Sequence, residues 1–143
     1  MNEFCAFPAG NLPSFIEVII TVSKSKTRLS KTIGDQKALK AYTLLLDHTK
    51  AVLDKRSEDK VVYYSEEIQQ NDLWSEKLYQ KKIQKGSDLG ARMQNAFETA
   101  FKELYEKVVI VGSDLFDLNT THIEDAFQAL ENHELVIGPS LDG

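Results

Sequence analysis

Two aspartates follow apolar segments at positions that suit either a metal ligand or a tight turn. Asp114 comes after the run "VVIVG", with Ser113 before it, and Asp142 follows "ELVIGP" by a few residues. A carboxylate on the rigid end of a strand can hold a divalent ion, and two carboxylates can share an ion that also contacts a diphosphate. Serine and aspartate also satisfy the backbone of ordinary turns. The residues alone leave both interpretations open for Asp114 and Asp142. For Asp117 we favour a turn or a position that leads into the helix.

A second group of candidate residues surrounds two predicted helix starts. The patch "KSKTRLSK" contains Lys26 and Arg28, whose charged groups complement phosphate oxygens. A charged stretch exposed to water is the alternative. Further along, "KGSDLGARM" places Asp88 and Arg92 on the first turn of a helix. There they could contact a base or ribose, or cap the helix and face water.

Composition excludes several classes of protein. The 143 residues, 42% apolar and 27% charged, fit one compact domain. A net charge of -5 provides no excess of Lys and Arg for nucleic acid. The single cysteine cannot form an internal disulfide, and we find neither an export signal nor the roughly 20 continuous apolar residues of a membrane span. We therefore expect a soluble cytoplasmic protein that binds neither nucleic acid nor membranes.

Other familiar sites lack their residues. No GxxxxGK[ST] or GxGxxG loop follows the first predicted strand, which argues against a P-loop nucleotidase or a Rossmann oxidoreductase. His48, His122 and His133 lie in or at the ends of predicted helices without partners at metal-ligand spacing. We expect these histidines at the surface.

Strands alternating with helices must position the candidate residues. The pattern predicts strands at "FIEVIITV", "KVVYYS", "KVVIVG" and "ELVIGP", and helices over "DQKALKAYTLLLDHTKAVLDK", "SDLGARMQNAFETAFKELYEK" and "TTHIEDAFQALENH". Residues 1–14 are predicted to be a loose leader, and "EEIQQNDLWSEKLYQKKIQKG" a polar connection with a short helix around 74–79. Residues 15–143 then form an α/β three-layer sandwich with a mainly parallel sheet. Because ligands bind outside the carboxyl ends of such strands, basic and acidic candidates should share one edge.

Taken in order, five segments resemble a bacterial family of GT-A-type glycosyltransferase-like proteins, related to nucleotidyltransferases such as the phospholactate guanylyltransferases. These segments are "KTRLSKTIGD", "SDLGARMQNAF", "VVIVGSDLFDL", "IEDAFQAL" and "VIGPSLDG". The resemblance implies a GT-A nucleotide-diphospho-sugar transferase fold. The residues it implies are Lys26, Arg28, Asp88, Arg92 and Ser113 for the nucleotide, and Asp114 and Asp142 for Mg²⁺ or Mn²⁺.

The activity implied by the resemblance is a metal-dependent glycosyltransferase or nucleotidyltransferase. Its partner would be a nucleotide-sugar or a nucleoside triphosphate, and the ion would neutralise the leaving diphosphate. The sequence identifies no catalytic residue.

Three departures from the family pattern support an alternative. The turn in "TVSKSKTRL" is shortened, Phe116 stands where many members have proline, and the chain ends at Gly143 where relatives continue. The alternative is a non-catalytic nucleotide-binding or structural remnant that lacks the C-terminal part of the fold. A sheet edge left open by that part predicts a homodimer.

Overall fold

The computed structural model describes residues 4–8, 16–22, 31, 33–113 and 115–138, and for 4–8 and 16–22 it describes the backbone only. The strands are β1 (Phe4–Pro8), β2 (Ile16–Val22), β3 (Asp59–Tyr64), β4 (Gln80–Ile83), β5 (Lys107–Gly112) and β6 (Val136–Ile137). The helices are α1 (Asp35–Leu53), α2 (Leu89–Lys102) and α3 (Thr120–Ala129). In this part of the chain, no helix combines the length and apolar character needed to cross a membrane.

The strands form one six-stranded sheet in the order β4-β3-β2-β5-β1-β6. β2 pairs in parallel with both β3 and β5, and β3 pairs in parallel with β4. β1 is antiparallel to β5 and to β6. The predicted α/β fold with a mainly parallel sheet is therefore confirmed.

Alternate residues of the central strands form two cores, one on each face of the sheet. Val62 and Tyr64 of β3 pack on the face covered by α1 and α3. Val61 and Tyr63 pack on the opposite face, which α2 covers. Because both faces are covered, the strands are continuously apolar rather than alternating, as "KVVIVG" predicts. Helices on both faces give the three layers.

Two strands differ from the sequence prediction. The expected leader contains β1, in which Cys5 pairs with both Ile110 of β5 and Ile137 of β6. The prolines and glycine in the first residues hid this strand. Pro8 is the last residue of β1 and its recorded pairing is with Lys107 of β5, since β6 pairs with Cys5 and Ala6, so a proline there removes little pairing. β4 replaces part of the expected polar connection. Its sequence "QKKI" carries charges because it is an edge strand, where lysine opposes unwanted pairing. The homodimer stays a prediction.

Candidate functional site at the carboxyl edge

The parallel strands end level with one another. Val22 at the end of β2 pairs with Tyr64 at the end of β3, and Thr21 pairs with Gly112 at the end of β5. β2 therefore ends between its two neighbours. This edge, where the described ends of β3, β2 and β5 lie side by side, is the edge at which α/β sheets bind ligands.

The sequence-predicted residues divide into two groups. Lys26, Arg28, Asp114 and Asp142 lie outside the described residues, and their roles stay predictions. Asp88, Arg92 and Ser113 are described, and each can be placed against its neighbours. The Arg92 backbone N–H donates to the Asp88 carbonyl at 3.0 Å, and among the described residues no recorded contact joins Ser113 to either of them.

Ser113 begins the segment 113–118, which we call the β5 loop. It is buried and follows β5 directly. The hydroxyl of Thr49, buried in α1, lies 3.4 Å from the Ser113 carbonyl and 3.0 Å from the Leu45 carbonyl, so it can donate to either acceptor. Helix α1 thus contacts the start of the β5 loop.

His48 contacts the other end of the same loop. Its Nε2 lies 2.7 Å from the carbonyl oxygen of Leu118, whose side chain is buried. Because a carbonyl only accepts, Nε2 carries the hydrogen and donates it. The ring also lies 6.2 Å from the ring of Phe116. The expectation that His48 is a surface residue is wrong: it is half-buried and fixes the loop, and a single sequence gives no sign of this long-range contact.

A substitution series at His48 tests how strongly α1 stabilises the β5 loop. His48→Leu should lower the free energy of unfolding by roughly 1–3 kcal/mol in urea denaturation, because the Leu118 carbonyl loses its donor. His48→Gln retains an N–H group and should lose less. The control is His122→Leu, at an exposed position, which should change stability by about 0.5 kcal/mol or less. Equal losses at positions 48 and 122 would contradict this role.

Asp88 and Arg92 both organise the connection between β4 and α2. The Asp88 carboxylate is the N-cap of α2 and accepts from the backbone N–H of Ala91 at 2.8 Å. Arg92 Nε donates to the Gly86 carbonyl at 3.2 Å, and Nη1 donates to Gln84 Oε1 at 3.3 Å. These contacts favour the capping alternative for Asp88. Nucleotide binding by either residue stays a prediction.

A cavity of about 430 Å³ opens beside the loop after β3. Its lining comes from Leu46 of α1, from Tyr64 at the end of β3, and from residues of the segment 65–74 that include Glu66 and Glu67. We call it the β3 pocket. The sequence did not indicate it, because its wall comes from the expected polar connection. The short helix expected there around 74–79 is wrong: the described chain has a turn at 76–78.

One carboxylate organises the wall of the β3 pocket. Asp72 accepts from the Tyr64 hydroxyl, from Lys81 Nζ at 2.8 Å and from the Trp74 backbone N–H at 3.0 Å. Lys81 also donates to the Gln69 carbonyl at 2.8 Å, and its side chain is only 6% exposed. The carboxylate therefore connects β3, β4 and the intervening segment.

These contacts fix the protonation states of the network. Burial raises the pKa of Asp72, but hydrogen bonds from Lys81, Tyr64 and the Trp74 N–H outweigh it, so the net pKa is lowered. Burial and the hydrogen bond to Asp72 raise the pKa of Tyr64 above its ordinary value. Asp72 is therefore an ionised acceptor and Tyr64 a neutral donor at physiological pH.

Comparisons with known proteins agree with this fold. The model of a family described as "Uncharacterized protein conserved in bacteria (DUF2064)" matches residues 46–143. A crystal structure described as a "putative nucleotide-diphospho-sugar transferase from Desulfovibrio desulfuricans G20" is similar with a TM-score of 0.78 and 29% sequence identity. The similarity covers 92% of this chain and 61% of that chain, so this chain spans less than two thirds of that protein's length. Among curated proteins, none matches.

Proposed function

The chain belongs to the bacterial DUF2064 family, and from that premise we propose that it is a transferase domain that binds a nucleotide-activated sugar at the carboxyl edge of its sheet. The observation that carries the proposal is the similarity, with a TM-score of 0.78 and 29% identity, to the protein described as a "putative nucleotide-diphospho-sugar transferase". The level strand ends support it, because they provide the edge at which α/β sheets bind ligands.

In this proposal the diphosphate of the ligand is bound in two ways, by basic side chains directly and by carboxylates through a metal ion. Lys26 and Arg28 follow β2 and contact phosphate oxygens, while Asp114 and Asp142 hold Mg²⁺ or Mn²⁺. Carboxylate oxygens are the ligands that these hard ions prefer. The ion, when bound, supplies neutralisation of the charge on the departing diphosphate. The chain also contributes the β5 loop that contains Asp114. Thr49 contacts this loop at Ser113, before Asp114, and His48 contacts it at Leu118, after Asp114.

Thermal-shift measurements test the proposal. A panel of nucleotide-sugars and nucleoside triphosphates is added with and without Mn²⁺. We expect at least one nucleotide to raise the melting temperature only when Mn²⁺ is present. At a ligand concentration of about 100 times Kd, the stabilisation amounts to about 2.7 kcal/mol. Absence of metal-dependent stabilisation by every nucleotide would support the alternative of a non-catalytic remnant.

The metal-ligand role of Asp114 has a matched control in the same loop. Asp114→Asn should remove the metal-dependent part of the thermal shift, because an amide is a poorer ligand for a hard cation than a carboxylate. Asp117→Asn, at an exposed position three residues further on, should leave it intact. If Asp114→Asn retains the full metal dependence, Asp114 serves the turn and the proposed ion site is wrong.

A further inference from the structure

Helix α1 holds the β5 loop more firmly than the loop holds itself. Among the described residues of the loop, the recorded backbone hydrogen bond runs from the Leu118 N–H to the Leu115 carbonyl at 3.4 Å. That distance is longer than the roughly 2.7–3.2 Å of most N–H to O hydrogen bonds. Ser113 and Leu118 are buried at the two ends of the loop, whereas Phe116 between them is 77% exposed. The arrangement of the loop therefore depends on what holds its two ends.

His48 supplies the stronger of the two contacts from α1. Its Nε2 lies 2.7 Å from the Leu118 carbonyl oxygen. The hydroxyl of Thr49 is closer to the Leu45 carbonyl within α1, at 3.0 Å, than to the loop, at 3.4 Å. Because a hydrogen bond weakens as its length grows, the His48 bond is the main attachment. Leu118 precedes Asn119, the N-cap of α3, so this bond also fixes where the loop enters α3.

The arrangement of the loop bears on ion binding because Asp114 lies between the two attached ends in the sequence. Metal ligands need to be held within about 0.5 Å of their binding positions, and groups that orient them typically change metal affinity by roughly 10–100-fold. When only a fraction of the molecules has the binding arrangement, the apparent affinity is reduced by that fraction. A loop that α1 has already ordered therefore binds an ion and its diphosphate at a smaller cost in entropy.

We propose that His48 is a positioning residue for ligand binding: its hydrogen bond to the Leu118 carbonyl keeps the β5 loop in the arrangement that receives the metal ion and the diphosphate. This inference rests on the proposed function and adds to it a dependence of ligand affinity on α1. Because Nε2 is engaged with the carbonyl, His48 acts through the backbone of the loop. Its ring also lies 6.2 Å from the Phe116 ring, where it limits the movement of the exposed middle of the loop.

Titration of Mn²⁺ followed by electron paramagnetic resonance tests the proposal, because the signal of the free ion falls as the ion binds. The ion is added alone, and then with UDP, GDP, ADP or CDP. In every mixture in which the unsubstituted protein binds Mn²⁺, His48→Leu should bind it roughly 10-fold more weakly, since the loop then has its binding arrangement in about one molecule of ten. His48→Gln should recover most of the affinity, because its amide N–H can replace the Nε2–H donor. Unchanged affinity in His48→Leu, or no recovery in His48→Gln, would overturn the inference.

Tyr105→Phe is the control for a general loss of stability. The Tyr105 hydroxyl donates to the Asp59 carboxylate at 2.7 Å. Asp59 begins β3 and Tyr105 lies two residues before β5, so both are at the opposite edge of the sheet from the β5 loop. This substitution also removes one hydrogen bond, but it should change the Mn²⁺ affinity by less than about 2-fold. If it weakens Mn²⁺ binding as much as His48→Leu does, affinity merely follows stability and the inference is wrong.

Amide hydrogen exchange gives a second readout that is confined to the loop. Without ligand, the N–H groups of residues 115–118 should exchange faster in His48→Leu than in the unsubstituted protein, whereas Tyr105→Phe should leave their rates unchanged. Equal rates in His48→Leu and the unsubstituted protein would contradict the positioning role. If the unsubstituted protein binds Mn²⁺ in none of the mixtures, the proposed function itself fails.

Discussion

Replacing Asp72 with alanine should lower the free energy of unfolding by roughly 2–4 kcal/mol, because the nearly buried Lys81 amine and the Tyr64 hydroxyl lose their shared acceptor. Lys81 keeps only its bond to the Gln69 carbonyl among the contacts described above. Urea denaturation followed by the fluorescence of the single tryptophan, Trp74, measures the loss close to the substituted site.

Glu76 provides the matched control, because it approaches the same lysine from solvent. Its carboxylate lies 4.0 Å from Lys81 Nζ and its side chain is 63% exposed. Glu76→Ala should cost about 0.5 kcal/mol or less, because the Glu76 carboxylate is exposed to water and lies at the limit of ion-pair distance. Equal effects of the two substitutions would contradict a central role for Asp72.

The acid dependence of stability gives a second readout for Asp72. Its folded pKa is lowered from 3.8, so its contribution to stability is present above that value and is lost as pH falls through the folded pKa. The stability difference between the unsubstituted protein and Asp72→Asn should stay constant from neutral pH down to about pH 5 and shrink at lower pH. A difference that grows on acidification would contradict the assignment.

Gly86→Ala should also lower the free energy of unfolding strongly, by roughly 3–5 kcal/mol. Backbone strain at a positive φ and steric overlap of the added Cβ act together at this position. The residue has φ +144°, and an added Cβ would lie 2.6 Å from the Arg92 backbone nitrogen and 2.7 Å from the Ala91 carbonyl carbon. Both contacts are backbone atoms of α2, which cannot move without breaking helical hydrogen bonds. Thermal and urea unfolding measure the loss.

Gly34→Ala separates strain from overlap. Gly34 also has a positive φ, of +84°, but an added Cβ would meet no atom of the described residues within 4 Å. Its substitution should cost roughly 1–2 kcal/mol, from the backbone conformation alone. If Gly86→Ala cost no more than Gly34→Ala, the close packing of the β4–α2 connection on the helix would be contradicted.

The sequence predicts those elements whose local residue pattern matches their burial or their capping in the fold. The run "KVVIVG" is apolar at successive positions because β5 is covered on both faces, and Asp88 precedes α2 where a side-chain cap is needed. The sequence misses β1 and β4 for opposite reasons. Prolines and a glycine interrupt the segment around β1, and lysines give β4 the pattern of a loop although its place at the edge of the sheet tolerates them.

The candidate site is only partly readable because much of it is built from long-range contacts. Asp72 is joined to Lys81 across the end of the sheet, and His48 reaches a carbonyl 70 residues further along the chain. Neither partnership follows from residue type or local spacing. Asp114, in contrast, stands out in sequence because it directly follows a buried strand and Ser113.

A crystal structure of the protein with Mn²⁺ and UDP-glucose or GDP-mannose, with anomalous data collected for manganese, tests the central claim most directly. We predict an anomalous peak at the carboxyl ends of β2 and β5, coordinated by the Asp114 carboxylate and the diphosphate. A bound nucleotide with no manganese at this edge would contradict the account. So would a manganese ion held by Glu66 and Glu67, since the β3 pocket would then be the ion site.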